Sequence, residues 1–217
     1  MNKAWSDQNK EMQALLKKAT FEQGIEALLS LRASLENEML SWREKLTDAD
    51  YSAFPFPGAK GYHSKTVAYS IWHIMRIEDI VVHSLILNEN EVLFSGGFAE
   101  KTGSPIITTG NELEGEQIAA FSQRLNVDAL YAYARAVRES TDGWLKRIKY
   151  EDLKRRFTEE DQARLRGLHV VSPAESADWL IPYWCGKDVA GLIKMPLSRH
   201  WIMHVEAADR IIAHIRG

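Results

Sequence analysis

Apolar residues recur every three to four positions through four long stretches of this 217-residue chain, a period that belongs to helices and not to strands. The first stretch, residues 11 to 46, carries Leu15, Leu16, Ile25, Leu28, Leu29, Leu31, Leu35 and Leu40, with Arg32, Glu36, Glu38 and Arg43 assigned to its wet side. Thr20 is the expected N-cap of its major part, and Gly24 the expected break. The second, Thr66 to Leu87, is apolar at Val67, Ile71, Ile74, Ile77, Ile80, Val81, Ile86 and Leu87. The third opens at Asn126 or Asp128 and runs through Leu130, Tyr133, Ala134, Val137, Trp144, Leu145 and Ile148, leaving Tyr131, Arg135, Arg138 and Lys146 to solvent. The fourth takes Pro196 into its first turn and packs through Trp201, Val205, Ala208, Ile211 and Ile212. The expectation is an all-α fold in a single domain, long enough to bury a sizeable core.

The connections carry their own signals. Two prolines and two glycines between Tyr51 and Gly61 force a loop. Its aromatics, Tyr51, Phe54 and Phe56, with Tyr62 just beyond, read as staples to the core, or alternatively as a pocket mouth. Residues 89 to 112 form a long connection punctuated by Ser95-Gly96-Gly97, Gly103-Ser104-Pro105 and Thr108-Thr109-Gly110; such loops often shape binding sites, and the plainer reading is a surface excursion. Weak helical character spans 112 to 124, Thr158 with Asp161 has the spacing of a helix cap, and Val189 to Met195 reads as a short helix. The aromatic run from Trp179 to Trp184 reads as a cap on one end of the helices, with an apolar wall of a site as the alternative.

A net charge of −3 with charges of both signs interspersed gives no electrostatic footprint for nucleic acid. The N-terminal residues lack the apolar core of a signal peptide and no apolar stretch reaches bilayer length, so no membrane contact and a cytoplasmic location are expected. Cys185 is the only cysteine, which excludes an intrachain disulfide and any multi-cysteine zinc site; it reads as a small buried residue.

The chemistry concentrates on histidine. His200 and His204 stand four residues apart, roughly 40° around one helix face, so that both imidazoles reach one metal ion. A catalytic ion usually takes three protein ligands and keeps one position open. His73, set among apolar residues of the second helix, is the candidate third: alone it reads as a hydrogen-bonded core histidine, and beside the pair as a ligand. His83 faces elsewhere as a surface or packing residue, His63 sits at the rim, and His214 lies about 15 Å beyond His204 along the helix. Trp201 stands where the zinc metalloprotease motif has its glutamate, and the serine-hydrolase elbow, phosphate loop and dinucleotide fingerprint are all missing. Tyr62, His63, Glu78 and Asp209 are loose candidates for a general base.

A lone histidine in an apolar helix, a long middle, and H-x-x-x-H in the final helix together resemble the DinB/YfiT-like superfamily of metal-binding helical proteins. The resemblance covers mainly residues 11 to 90 and 186 to 216. It implies a four-helix bundle with long connections and extra short helices, a metal site of His73, His200 and His204, and a divalent cation, zinc or nickel foremost. It further implies a small-molecule substrate, often a low-molecular-weight thiol, and a homodimer. Thiol-dependent S-transfer stands ahead of metal-assisted hydrolysis. A non-enzymatic metal-binding stress-response module, and histidines that only pack, remain as alternatives.

Overall fold

The computed structural model describes residues 2–217, and among them every regular element is helical; the nearest approach to a sheet is one isolated bridge between Arg156 and Asp188. In chain order the helices are α1 (Lys3–Leu15), α2 (Phe21–Lys45), α3 (Val67–Asp79), α4 (Val92–Ser95), α5 (Phe98–Lys101), α6 (Glu116–Ser122), α7 (Val127–Leu145), α8 (Glu159–Gly167), α9 (Glu175–Asp178), α10 (Leu180–Cys185), α11 (Val189–Lys194) and α12 (His200–Arg216). The end of α3 widens into π-type turns over Ile80–Leu87 and stops at Asn88, whose left-handed backbone (φ 57°) breaks the helical register. A second such stretch, Met195–Arg199, leads α11 into α12 with Pro196 in its first turn. No described helix is long and apolar enough to cross a membrane.

Local chemistry explains several boundaries. Asn126 accepts the backbone N–H of Ala129 and starts α7; Thr66 accepts that of Tyr69 and starts α3; Thr158 and Asp161 cap α8 reciprocally. The first helical stretch departs from expectation. It begins earlier, at Lys3, and its break falls over residues 16–20 instead of at Gly24. Gly24 does different work: a Cβ there would stand 3.0 Å from the Leu15 carbonyl carbon, so the missing side chain lets the end of α1 abut the start of α2. Thr20 does precede α2, but its hydroxyl bonds back to the Leu15 carbonyl at 2.8 Å and caps nothing.

Helix α3 lies between α7 and α12, while α2 packs against α1 and α12. The apolar interior falls into two clusters. One gathers Leu31, Leu35, Trp42, Trp72, Leu130, Tyr133 and Trp201; the other gathers Leu28, Ile80, Leu85, Leu145, Trp184 and Leu197. Where one gives way to the other, buried charge appears. The Arg32 guanidinium, fully buried, donates to both Glu78 oxygens (2.7 and 2.8 Å), to Asp142 (2.7 Å) and to the Leu197 carbonyl (3.2 Å), and Trp201 Nε1 donates to Glu78 (2.8 Å).

This overturns the assignment of Arg32 to solvent; a long side chain with five donors reaches partners on three other segments at once. Leu40, read as apolar-side, is 37% exposed. On α7, Tyr131 and Arg138 likewise leave the wet side. The Tyr131 hydroxyl donates to the Met39 carbonyl (2.8 Å) and meets the Tyr51 hydroxyl, and Arg138 pairs with Glu36. Tyr51 itself is buried, so it staples its loop to the core.

Candidate metal centre

The three histidines read from the sequence meet. His73 projects from α3, and His200 and His204 from the first turns of α12, with ring centroids 5.1 Å (73–200), 4.8 Å (73–204) and 4.6 Å (200–204) apart. One nitrogen from each lies within 4.8 Å of the other two, and the rings are buried, so this group can hold a metal ion. A cation bound at about 2.1 Å from each asks for nitrogen spacings nearer 3.4 Å in a tetrahedral site, a change that small side-chain rotations supply.

Protonation favours binding. Burial drives the His73 pKa down to about 4, and burial with the neighbouring imidazoles holds His200 and His204 well below the usual range. All three rings are therefore neutral at pH 7 and present lone pairs. His73 Nδ1 stands 2.8 Å from the Thr109 carbonyl oxygen, which can only accept, so the proton sits on Nδ1 and Nε2 is left as the ligand atom. By contrast, Nδ1 of His200 and both nitrogens of His204 are buried with no hydrogen-bond partner among the described residues. Burying such groups unpaired costs about 1–3 kcal/mol each. A cation taking one nitrogen from each ring removes much of that cost, so the donor set fits a divalent ion.

The long connection 89–112 supplies the support. Its backbone is gripped by side chains of α3: Trp72 Nε1 donates to the Thr108 carbonyl (3.0 Å), the Tyr69 hydroxyl to Gly110 (3.1 Å), and Arg76 to Ile107 (2.6 and 2.9 Å). Gly110 has φ 82°, and a Cβ there would approach the Tyr69 ring to 3.0 Å, so glycine permits the turn that aims the Thr109 carbonyl at His73. The connection is thus a shaped element of the site and not a surface excursion.

Two hollows flank the histidines. One, of about 460 Å³, is polar and includes Ser64, Lys65, Asn111, Glu114 and His204 in its wall. The other, of about 220 Å³, is walled by Trp179, Tyr183, Trp184, Met195, Ile77 and His200. Tyr62, His73 and Asn111 belong to both. The aromatic run around Pro182 therefore faces the histidines and does more than cap the helices. Tyr69 stacks against His73 at 5.4 Å with ring planes 12° apart, and the Lys65 ammonium lies 4.8 Å over the Tyr69 ring.

The base candidates fare unevenly. Tyr62 stands edge-on to His204 at 4.8 Å, and burial raises its pKa, so it offers a proton at neutral pH and does not take one. Glu78 is engaged by Arg32 and Trp201, Asp209 accepts from Trp42 Nε1 (2.9 Å), and His63 accepts from Arg210 (3.0 Å); none of the three joins the histidine group.

His83 is a packing residue, bonded to Asp79 (2.8 Å) and to the Ser140 hydroxyl (2.8 Å). That Asp–His–Ser order resembles a hydrolytic triad, but Ser140 lies inside α7, where helix bonds already occupy the adjacent backbone N–H groups that an oxyanion would need. Cys185 is buried, its thiol pKa pushed up to about 11 by burial, as an inert thiol should be. Lys65, Tyr69, Thr109 and Asn111 escaped the sequence reading. Tyr69 stands four residues before His73, a helical spacing that would have found it; Lys65 precedes the Thr66 cap and lies outside that periodicity, and a backbone carbonyl such as that of Thr109 leaves no such trace. No family model and no curated protein matches the chain.

Proposed function

We propose that this chain is a metal-dependent enzyme of DinB-like four-helix-bundle architecture, with α2, α3, α7 and α12 as the bundle. His73, His200 and His204 hold a divalent cation, zinc or nickel, and thiol-dependent S-transfer is the favoured chemistry. The observation that carries this reading is the convergence of three neutral, buried imidazoles, several of their nitrogens unpartnered, at the seam between two hollows. Three neutral ligands leave a divalent ion its full charge, and such an ion supplies a Lewis acid that lowers the pKa of a coordinated thiol or water.

Hydrolysis takes second place because the histidine group includes no carboxylate, and Glu78 and Asp209 already accept bonds elsewhere. A thiol needs less help, since its ordinary pKa near 8.5 is far closer to neutrality than that of water. Within the site, Thr109 fixes the His73 tautomer, the Tyr62 phenol offers a hydrogen bond to a leaving group, and the Asn111 amide faces both hollows. The overall step joins thiol sulfur to an electrophilic carbon: a C–S bond forms, the bond to the leaving group breaks with its electron pair, and the thiol proton passes to buffer.

The burial of all three rings, between 2% and 6% exposed, favours a second reading, a non-catalytic metal-binding module. The deciding experiment supplies zinc- or nickel-loaded protein with a panel of small thiols and an activated aryl chloride. Metal-dependent thioether formation, lost in His200→Ala, is the expected result. Stoichiometric metal with no turnover and no exchangeable ligand would leave the binding module as the answer.

A further inference from the structure

The two hollows differ in character in a way that metal binding does not require. On the Lys65 side, polar groups dominate: the Ser64 hydroxyl, the Asn111 amide, the Glu114 carboxylate and the Lys65 ammonium. Lys65 is half-buried, its ammonium lying over the face of Tyr69 and within the field of the Glu114 carboxylate; among the described residues it forms no ion pair within 4.0 Å. A cation drawn partly out of water beside a ring that stacks on a metal-ligand candidate is placed to receive an anion. On the other side, away from the shared Asn111 and the histidines, the wall is mostly apolar. Trp179 and Tyr183 meet edge-to-face at 5.5 Å, with Met195 and Ile77 completing it, and Trp179 is 50% exposed at the surface. A water-facing tryptophan at the entrance to an apolar hollow suits entry of an apolar or aromatic molecule.

We propose that the centre takes two different ligands at once: a thiol bearing an anionic group, held by Lys65 in the polar hollow with its sulfur toward the histidines, and an apolar or aromatic acceptor lodged against Trp179 and Tyr183. This deepens the S-transfer reading and rests on it. Tyr62, His73 and Asn111, shared by the two hollows, mark where sulfur and acceptor carbon meet. Volume agrees: about 220 Å³ accommodates a substituted benzene, while about 460 Å³ leaves room for a thiol larger than the smallest aliphatic ones. Glu114, in the same wall as Lys65, disfavours a ligand with two anionic groups and suits one that also carries a cationic centre.

The test uses cobalt(II)-loaded full-length protein, whose absorbance reports coordination without turnover. 3-Mercaptopropionate and 1-butanethiol, similar in length but differing in charge, are titrated while the sulfur-to-cobalt band is followed. The carboxylate thiol is expected to bind at least tenfold more tightly, the ratio to fall to about one in Lys65→Met, and Lys65→Arg to retain it. Benzyl alcohol, followed by the paramagnetic relaxation of its ring protons, is expected to bind in the presence of saturating 3-mercaptopropionate, and to lose that relaxation in Trp179→Ala/Tyr183→Ala but not in Lys65→Met. An unchanged thiol ratio in Lys65→Met, or displacement of benzyl alcohol by the thiol, overturns the two-ligand arrangement while leaving the metal site standing. Failure of the native protein to bind cobalt overturns both.

Discussion

Around Arg32 and around His200, buried polar side chains occur close to the level at which the two apolar clusters meet, yet the two sets are finished differently. The Arg32 guanidinium has Glu78, Asp142 and the Leu197 carbonyl, and Glu78 has the Trp201 indole besides; charge and hydrogen bonding close upon themselves. The His200 and His204 rings retain buried nitrogens that none of the described residues satisfies. A network that closes can be explained by the architecture it joins, here α2, α3, α7 and the lead into α12. A network that does not close points to something the protein binds. The Arg32 set is therefore read as structural and the histidine set as functional, and each should fail in its own way.

The largest effect should come from the closed network. Arg32→Met leaves Glu78 buried without its counter-charge and should cost about 3–5 kcal/mol in urea unfolding, with or without metal. A loss under about 1 kcal/mol would mean that the network is incidental. His204→Leu should behave in the opposite manner. In chelator it removes two unpartnered nitrogens at similar volume, so stability should stay within about 1.5 kcal/mol of the native protein. With zinc at a thousandfold above its dissociation constant, the native protein should gain about 4 kcal/mol and the variant nothing measurable. Equal gains would remove His204 from the site.

A smaller effect tests the support. Tyr69→Phe deletes the bond to the Gly110 carbonyl and so loosens the turn that presents Thr109 to His73; zinc affinity by competition with a chromophoric chelator should fall about tenfold. The smallest concerns a carboxylate outside both networks. Burial raises the Asp209 pKa to about 6, above an unfolded value near 3.9. The folded state thus binds the proton more tightly. This contribution to stability is full below the unfolded pKa and lost as pH rises through about 6. Asp209 is only partly buried, so the slope should be shallow. Asp209→Asn, which keeps an acceptor for Trp42, should flatten it in urea midpoints taken from pH 4 to 8.

Much of this contrast could be read in the residues, and the reasons for the exceptions are specific. Helical periodicity located α2, α3, α7 and α12, and the H-x-x-x-H spacing with His73 located the histidine group, because both signals depend on neighbours along one helix. Arg32 reads as solvent-facing because charged residues are mostly exposed, while the partners that bury it lie 46 and 110 positions away in sequence. Glycine's low helix propensity points to a break at Gly24, whereas that glycine serves a close approach between α1 and α2. The role of residues 107–110 leaves no trace in the sequence for another reason: they act through backbone carbonyls, which every residue has.

The most direct test is calorimetric titration of zinc into chelator-stripped, tag-free protein, with His73→Ala and His204→Ala alongside. The account predicts one equivalent bound by the native chain and saturable binding lost in both variants, though the two residues are donated by helices 131 positions apart. Retention of one equivalent by His73→Ala, or no binding by the native protein, would contradict it.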